Sequence, residues 1–508
     1  MDEYTMKTKR IIYKTLLVIS TLLLLSCEKS STTEPVVYDE IIWSKSDSPI
    51  LIDSCFIVPE NTVLKIDSGV EVKFKASSRG TDSPDYDFST LNVGMIRVDG
   101  KIEAIGAEND SIVFTRQGIL GNWGVIFINK TSVDGNIFKF CKIEYANQIR
   151  NFIYESEGYS RGAVSLFYSS ADLENCNIVR NCSDGILCYS GGSNIRNSNI
   201  ERNLKNGILF VFSQGTIENN EIIYNGEDYS YYAKYAGICC NESDPRILNN
   251  VFINNFTFTV YPDYSVFYSG GGNGIICQFS DPVINGNEFQ NNEYGIECEN
   301  YSNAIVTGNN FKACLISIES ENNSDMKIEN NIISESYIGI NMDTNSTLVN
   351  NLIVHCELGI SCSNGKFVNT FPEFINNTVL NSSLFGIELY GNNYSGSEIN
   401  YYPSPKIVNN IIFGSELKGL QISINDEGYS GPKVSFSLIG DDSLHFQVQD
   451  LGNNILNIDP LLDGSFKPLS NSPCIDAGNR DLDNLPEFDL GGSNRINGIT
   501  IDIGAYEF

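Results

Sequence analysis

The chain has little histidine and little positive charge. Its 508 residues include only two histidines, and 33 Lys and Arg stand against 63 Asp and Glu, a formal charge of −30. A nucleic-acid surface needs clustered Lys and Arg, and a zinc site needs Cys and His at short spacings, so both are disfavoured. A polyanionic glycan would need a bridging cation on so acidic a surface. Ca²⁺ is therefore the one cofactor left open.

Long apolar runs are also scarce, and the longest lies at the start of the chain, from Leu16 to Leu25. Basic residues precede it and Ser26-Cys27 ends it, which indicates a signal peptide too short to span a bilayer. The small residue before Cys27 resembles the lipobox of bacterial lipoproteins. The resemblance implies secretion, cleavage before Cys27, lipidation of its thiol and anchoring in the bacterial envelope, with the outer membrane expected. An uncleaved anchor helix is the alternative.

What the sequence does contain is a repeat. The pattern Ile-x-Asn-Asn-x-Ile, a short turn and then Gly-Ile-x-apolar recurs in ten copies between Leu173 and Ile422, with shortest spacings of 20 to 22 residues. Such a period is too short for helical pairs but fits one coil of short strands. The column of glycines, with one serine, is Gly185, Gly207, Gly237, Gly274, Gly295, Ser317, Gly339, Gly359, Gly386 and Gly419.

Alternation after each glycine predicts an inward strand face. The first residue after the glycine is Ile in nine copies and Leu in the tenth, and the third is apolar in all but Ser320. Residues two apart share a strand face. Five cysteines occupy the third position, where a free thiol packs as a small hydrophobe. Most of the thirteen cysteines after Cys27 are therefore predicted to be unpaired, although stacked neighbours would be close enough to bond.

The two asparagine columns of the repeat differ in their substitutions. The first accepts Gly (Gly286 and Gly308), which predicts a left-handed corner between strands. The second accepts Ser198 and Cys176 instead, which indicates a small buried polar site. Stacked amides there would bond from coil to coil and form an asparagine ladder of structural role. Its asparagines are Asn220, Asn250, Asn287, Asn309, Asn331, Asn351, Asn377 and Asn410.

Both ends resemble bacterial surface proteins of one architecture. The segments VPENTVLKIDSGVEVKF, GKIEAIGAENDSIVFT and NWGVIF resemble the opening coils of right-handed β-helix proteins. The segments NSPCIDAGN and DLGGSNRINGITIDIGAYEF are similar to the closing module called choice-of-anchor Q. The resemblance implies an all-β fold, a right-handed parallel β-helix solenoid, of a monomeric protein. Asp476, Asp489, Arg495 and Asp502 are candidates for an ion-pair network in a capping module, the alternative being a binding site.

The predicted organisation has five parts. Residues 1–26 form the lipoprotein signal peptide and 27–35 a polar tether. Residues 36–145 form N-terminal capping coils, 146–440 the regular β-helix coils and 441–508 the C-terminal choice-of-anchor Q-like cap. An uncapped solenoid would expose an open sheet edge and an apolar cross-section. The membrane is expected to be contacted through the N-terminal lipid alone.

Three insertions precede the Gly-led strand of their coils, at 150–161, 226–236 and 256–273. They are rich in tyrosine, whose ring offers an apolar face and a polar tip to a sugar. We therefore predict a surface that binds a polysaccharide or cell-surface glycan, against the alternative that the tyrosines only pack on one another. The candidate residues are Tyr154, Tyr159, Tyr229, Tyr231, Tyr232, Tyr235, Tyr261, Tyr264, Tyr268, Glu157, Asp228 and Asp263.

Catalysis is an open alternative in the same loops. A pair of carboxylates flanking a sugar would support glycoside hydrolysis, and calcium with Arg161 or Lys234 would resemble β-helical polysaccharide lyases. The sequence does not fix their geometry, and exposed acidic residues are common throughout the chain. Three function classes therefore remain: an adhesive or glycan-binding protein, a polysaccharide lyase or hydrolase, and a scaffold without ligand.

Overall fold

Short strands follow one another from Asp39 onward, three to a coil, and stack coil upon coil. The computed structural model describes residues 39–77, 93–130, 135–147, 149–150, 159–160, 162–226, 234–255, 258–260, 266–268, 272–366, 368–391, 400–424, 426, 428–483 and 485–508. Residues 40–508 form one compact unit. The one short helix, among these described residues, is the 3₁₀ turn Lys45–Asp47. None of their helices has the length and apolarity that crossing a bilayer requires.

The strands form three long parallel sheets, each of which receives one strand from every regular coil. Parallel neighbours in one sheet need a crossover connection, and here the crossover is the rest of the coil. In stacking order, sheet 1 consists of Asp39–Trp43, Thr62–Ile66, Lys101–Ile105, Asn136–Lys139, Ala171–Glu174, Gly192–Arg196, Gln214–Glu218, Arg246–Leu248, Val283–Asn285, Ile305–Thr307, Lys327–Glu329, Thr347–Val349, Glu373–Ile375, Lys406–Val408, Lys433–Ser435 and Gln449–Asp450.

Sheet 2 follows sheet 1 in each coil. Its strands are Ile50–Ile52, Glu71–Phe74, Ile112–Arg116, Cys141–Glu144, Asn177–Val179, Asn199–Glu201, Glu221–Ile223, Val251–Ile253, Glu288–Gln290, Asn310–Lys312, Ile332–Ser334, Leu352–Val354, Thr378–Leu380, Ile411–Phe413, Leu438–Ile439 and Ile455–Leu456. The N-terminal and regular coils share both sheets without interruption. The predicted domain boundaries themselves stay predictions.

Sheet 3 contains the Gly-led strands of the repeat, preceded by strands of the opening coils. Its strands are Cys55–Val58, Met95–Val98, Ile126–Asn129, Gly162–Phe167, Asp184–Tyr189, Ile208–Val211, Ala236–Asn241, Asn273–Gln278, Tyr294–Glu299, Ile316–Ser320, Ile338–Met342, Leu358–Ser363, Phe385–Tyr390 and Lys418–Ser423. Two antiparallel pairs lie outside the three sheets: Ile149–Arg150 with Tyr159–Ser160, and Phe258–Val260 with Val266–Tyr268.

The predicted inward columns are confirmed. Ile296 aligns with Ile275 and Ile318, and Cys298 aligns with Cys277 and Ser320, all at one register and all buried. The sequence therefore predicts both the period and the register, because a slip of one residue would move every isoleucine to the outer face. The thirteen cysteines that follow Cys27 are all free thiols in the structure, as predicted for most of them.

Both asparagine columns are also confirmed. The first lies in the left-handed region, with φ of 55° at Asn330 and 64° at Gly308. The second forms a continuous ladder: Asn309 donates through Nδ2 to Asn331 Oδ1 at 3.0 Å, and its own Oδ1 accepts the Nδ2 of Asn287 at 3.0 Å. Asn309 Nδ2 also donates to the carbonyl of Ile284. Each amide is buried and satisfied, so the ladder is structural.

The other two turns carry ladders that sequence analysis did not identify. Between sheets 2 and 3, Asn203 Nδ2 donates to Asn225 Oδ1 at 2.9 Å, and Asn255 Nδ2 donates to Asn292 Oδ1 at 3.1 Å. Between sheets 3 and 1 the buried hydroxyls of a serine column accept backbone N–H groups from the preceding coil. Its members include Ser213, Ser243, Ser280, Ser302 and Ser324.

The glycine column is required by packing. A Cβ at Gly295 would lie 2.5 Å from the carbonyl oxygen of Ser317 and 2.7 Å from the Phe311 ring. At Gly237 the distance to the carbonyl oxygen of Gly274 would be 2.8 Å. Neither glycine has a positive φ, so the close approach of the next coil selects the residue.

The C-terminal segment lies along the side of the solenoid. Cys474, Ile503 and Tyr506 pack with Leu352 and Leu438, which face outward from sheet 2. Near the last coil, the partly buried side chains of Leu444, Val448 and Leu456 pack against the hydrophobic core inside the solenoid. The module resembling choice-of-anchor Q therefore covers the outer face of sheet 2, while the chain just before it covers the last coil.

The buried ion pair of this segment involves a residue that sequence analysis did not name. Arg495 Nη1 lies 3.1 Å from Glu507 Oε1, and both side chains are almost fully buried. Asp489 accepts the backbone N–H of Glu507, and Asp502 accepts that of Asp476. The predicted residues thus lie in one network, but their carboxylates bind backbone N–H groups and Glu507 supplies the direct contact with Arg495.

Candidate functional site

A group of carboxylates faces outward from the middle of sheet 3. Strands Tyr294–Glu299 and Ile316–Ser320 are neighbours, with Glu297 paired to Glu319. Because Ile296 and Cys298 point inward, Glu297 points outward, and the same alternation places Glu319 beside it. Glu321 follows the second strand on the same face. One carboxylate oxygen from each of the three lies within 4.8 Å of the others. We call Glu297, Glu319 and Glu321 the sheet 3 acidic cluster.

Two of the three residues of the cluster, Glu297 and Glu319, are buried although they lie on an outer face, and Glu321 is half-buried. The Glu297 side chain is 1% exposed and Glu319 is 7% exposed. Lys234 forms an ion pair with Glu297 Oε1 across two coils, and Asn273 Nδ2 donates to Glu297 Oε2 at 2.6 Å. Asn341 Nδ2 donates to Glu319 Oε1 at 2.7 Å. Burial of like charges is costly without compensation, so this outer face differs from an ordinary solvated sheet surface.

The electrostatics follow from that burial. Loss of water raises the pKa of Glu319 to about 8, and the nearby Glu321 carboxylate adds to the effect. Burial also raises the pKa of Glu297, but the attraction of Lys234 opposes it. For Asp343, burial followed by repulsion from Glu321 raises the pKa to about 7. Groups with strongly shifted pKa values that converge on one surface are candidates for a functional site.

Two polar atoms next to the cluster have no partner among the described residues. They are Oε2 of Glu319 and Oδ1 of Asn273, and both residues are more than nine-tenths buried. Buried oxygens of this kind ordinarily accept a hydrogen bond or bind a cation. The residues able to hold a metal ion on this face are therefore the sheet 3 acidic cluster and Asn273. All four donors are hard oxygen ligands, the type that Ca²⁺ and Mg²⁺ prefer.

A family comparison identifies the architecture. Residues 123–265 and 262–395 match the profile described as "Right handed beta helix region". The chain belongs to this right-handed β-helix family. The coils that carry the acidic cluster lie inside the matched region, and so do all three tyrosine-rich insertions. Membership of this family establishes that the solenoid is right-handed, as the resemblance of the opening coils predicts.

Solved structures with similar coordinates include three carbohydrate-active proteins. The catalytic domain of a GH87 α-1,3-glucanase variant in complex with nigerose is 11% identical, with 84% of this chain and 70% of that chain covered and a TM-score of 0.39. A PL6 family polysaccharide lyase from Pseudopedobacter saltans is 10% identical (92% and 100% covered, TM-score 0.39). A double mutant of a periplasmic alginate epimerase is 13% identical (73% and 75% covered, TM-score 0.35). A search of curated proteins finds no match.

The three tyrosine-rich insertions of this β-helix all enter sheet 3 at the same edge. They precede strands Gly162–Phe167, Ala236–Asn241 and Asn273–Gln278, the last of which neighbours Tyr294–Glu299. The acidic cluster thus lies on the two coils that follow the coil of the third insertion. Each insertion therefore precedes the sheet 3 strand of its coil, as the repeat predicts.

The predicted ligand-binding residues can be placed only in part. Tyr235 is buried, with 9% of its surface exposed, and its carbonyl accepts the N–H groups of Gly272 and Asn273. It therefore links two insertions, in agreement with a packing role for this tyrosine. Tyr159 and Tyr268 lie in the two antiparallel pairs, where only the backbone is described. Outside the described residues lie Cys27, Tyr154, Glu157, Asp228, Tyr229, Tyr231, Tyr232, Tyr261, Asp263 and Tyr264.

Two further tyrosines show packing at another edge. Tyr402 and Tyr429 have ring centroids 5.2 Å apart, and Tyr402 donates through its hydroxyl to Asp426 Oδ2 at 2.6 Å. The spacing Gly-x-Ser-x-Gly occurs at 158–162, but Tyr159–Ser160 forms a strand of an antiparallel pair instead of the strand-to-helix turn of a nucleophile elbow.

Sequence analysis missed the acidic cluster for a clear reason. The outward column that contains Glu297 and Glu319 reads Leu209, Cys239 and Ile276 before them and Asn341 after them, so no repeated acidic pattern is present. The sequence places Lys234 in the second insertion but does not indicate its contact with Glu297. The sequence does contain one usable signal. Two residues after this column, on the same outer face, Glu299, Glu321 and Asp343 follow one another in consecutive coils.

Proposed function

We propose that this β-helix binds a glycan on the outer face of sheet 3, beside the tyrosine-rich insertions. The observation that carries the proposal is the sheet 3 acidic cluster, a group of buried carboxylates beside the edge where three insertions enter. Carboxylates and amides accept and donate hydrogen bonds to sugar hydroxyls, and aromatic rings in the adjoining insertions offer apolar faces. Ligand sites in solenoids commonly lie where successive coils carry insertions on one side.

The test is binding of the purified protein to a panel of polysaccharides. Glu297→Gln and Glu319→Gln should weaken the selective interaction, because each replaces a carboxyl group at the site with an amide. Glu388→Gln is the matched control: Glu388 occupies the same outward column three coils away, where it accepts a bond from Ser423. Equal binding by all four proteins, or no binding to any polysaccharide, would contradict the proposed site.

Cleavage of the bound glycan is the second candidate. Glu297 and Glu319 are direct neighbours on parallel strands, and retaining glycosidases use two carboxyl groups about 5–5.5 Å apart. A lyase acting at the same face would break the glycosidic bond by elimination instead of hydrolysis. Release of reducing ends without an unsaturated product would support hydrolysis, and an ultraviolet-absorbing product would support elimination. Binding without either product would leave an adhesive role.

We further propose that the protein is lipid-anchored through Cys27 in the bacterial envelope, with the outer membrane as its location. The basic residues, the apolar run and Ser26-Cys27 support this reading. Labelled palmitate should enter the wild-type chain but not Cys27→Ser. Incorporation into both proteins would contradict acylation at this thiol.

A further inference from the structure

We propose that the sheet 3 acidic cluster binds one hard divalent cation of the Ca²⁺ type. The inference concerns the protein without a glycan and does not depend on the proposed function. Its basis is the joint position of Glu297, Glu319, Glu321 and Asn273 on three consecutive strands of sheet 3.

The spacing of the donor atoms fits a cation of this size. Ca²⁺ binds oxygens at about 2.3–2.6 Å, so two ligands of one ion lie at most about 4.6–5.2 Å apart. One oxygen from each of the three carboxylates lies within 4.8 Å of the other two. Because the oxygens come from neighbouring coils, the regular stacking of strands keeps them at this spacing.

The charge of the cluster also points to a cation. When all three carboxyl groups are ionised, they and the ammonium of Lys234 carry a formal charge of −2. Lys234 contacts Glu297, while Glu319 receives one amide bond from Asn341. A divalent ion would neutralise the remaining charge.

Two unpartnered oxygens, one of the cluster and one of its neighbour Asn273, provide further support. Oε2 of Glu319 and Oδ1 of Asn273 are buried and have no hydrogen-bond partner among the described residues. Asn273 is uncharged, and its Nδ2 group donates to Glu297 at 2.6 Å, which holds the amide against the cluster. Its carbonyl oxygen would complete a set of three carboxylates and one amide, with water filling the other positions of the ion.

Lys234 makes the proposal sharply testable. Its ammonium competes with the cation for Glu297, and its side chain is 42% exposed, so it can move into solvent. Removal of this positive charge should therefore strengthen cation binding. A structural ion pair without a metal role predicts no such gain.

The experiment is calorimetric titration of the EDTA-treated full-length protein with CaCl₂ and separately with MgCl₂. We expect one Ca²⁺ per chain, weaker Mg²⁺ binding, and a rise in melting temperature with Ca²⁺. Glu319→Gln should bind Ca²⁺ at least roughly tenfold more weakly, since a charged ligand is lost. Lys234→Met should bind it more tightly, and the control Glu388→Gln should match the wild type.

The same data can overturn the proposal. Absence of Ca²⁺ binding up to about 10 mM, above the range of weak extracellular sites, would refute it. So would equal binding by wild type and Glu319→Gln, or weaker binding by Lys234→Met, provided that each variant keeps its β-sheet circular-dichroism spectrum. A protein that binds the cation could still bind a glycan, and a protein that binds no cation could do so too. The calcium titration and the polysaccharide-binding assay can therefore fail independently of each other.

Discussion

Adjacent asparagines perform two different tasks in one corner of the coil. Asn330 adopts a left-handed backbone with φ of 55°, while the neighbouring Asn331 points inward and bonds to Asn309 and Asn351. The sequence distinguishes them because glycine replaces the first type and serine or cysteine replaces the second. Backbone conformation tolerates glycine, whereas a buried hydrogen-bonding position tolerates a small polar or sulfur-containing side chain.

Removal of one ladder amide should destabilise the whole protein. Asn309→Ala removes donors to Ile284 and Asn331 and leaves the side chain of Asn287 without its acceptor. Each unsatisfied buried group costs about 1–3 kcal/mol, so urea denaturation should show a loss of at least about 2 kcal/mol. Asn310→Ala, at an exposed position one residue later, should change stability by less than about 0.5 kcal/mol. Equal losses would contradict a special role for the ladder.

At the scale of a strand, sheet 3 differs between its two faces. The inner face repeats in every coil because it must fill the same cross-section each time. The outer face is free to vary, and it changes from apolar at Leu209 to acidic at Glu297 and Glu319. This is why the fold could be predicted from periodicity while the acidic cluster could not: its residues come together through stacking, and only a few coils carry them.

The acidic strand pair should make stability depend on pH. The pKa of Glu319 is about 8 in the folded protein against an ordinary value of 4.5. The folded state therefore binds this proton more tightly than the unfolded chain. The resulting stabilisation is complete below pH about 4.5 and is lost as the pH rises through about 8.

Urea titrations in EDTA from pH 5 to 8.5 would measure this effect. We expect Glu319→Gln to flatten the decline, because a glutamine cannot ionise, and Glu388→Gln to keep the wild-type slope. A Glu319→Gln curve parallel to that of the wild type would show that this carboxyl group does not titrate differently on folding.

At the scale of the molecule, the final segment is attached along the flank of the solenoid. Asn350 donates to the carbonyl of Phe488, Asn376 to that of Asp502, and Asn409 to that of Asn479. These are members of the left-handed corner column, whose side chains point out of the coil. The resemblance to a closing module predicts that this segment protects the solenoid, but its position on the flank depends on contacts between residues 70 to 138 positions apart, which local patterns do not specify.

The buried pair Arg495–Glu507 should be important for this attachment. Glu507→Ala would leave the Arg495 guanidinium buried beside no direct ionic partner, a change that typically costs about 3–5 kcal/mol. Glu335→Ala breaks the exposed contact with Lys312 and should cost less than about 1 kcal/mol. Thermal unfolding and limited proteolysis of the C-terminal segment would compare them. Similar stability of the two variants would argue against a buried pair.

The position of the final segment also has a consequence for biosynthesis. The corner at Asn350 is translated 138 residues before its partner Phe488. Coils that emerge earlier can stack on their predecessors as they appear, but Leu352, Leu380 and Ile411 form an uncovered apolar flank until residues 474–506 are made. We therefore expect truncated chains that lack residues 474–506 to expose this flank and to be recognised by quality-control proteases, so that this segment makes the solenoid resistant to degradation.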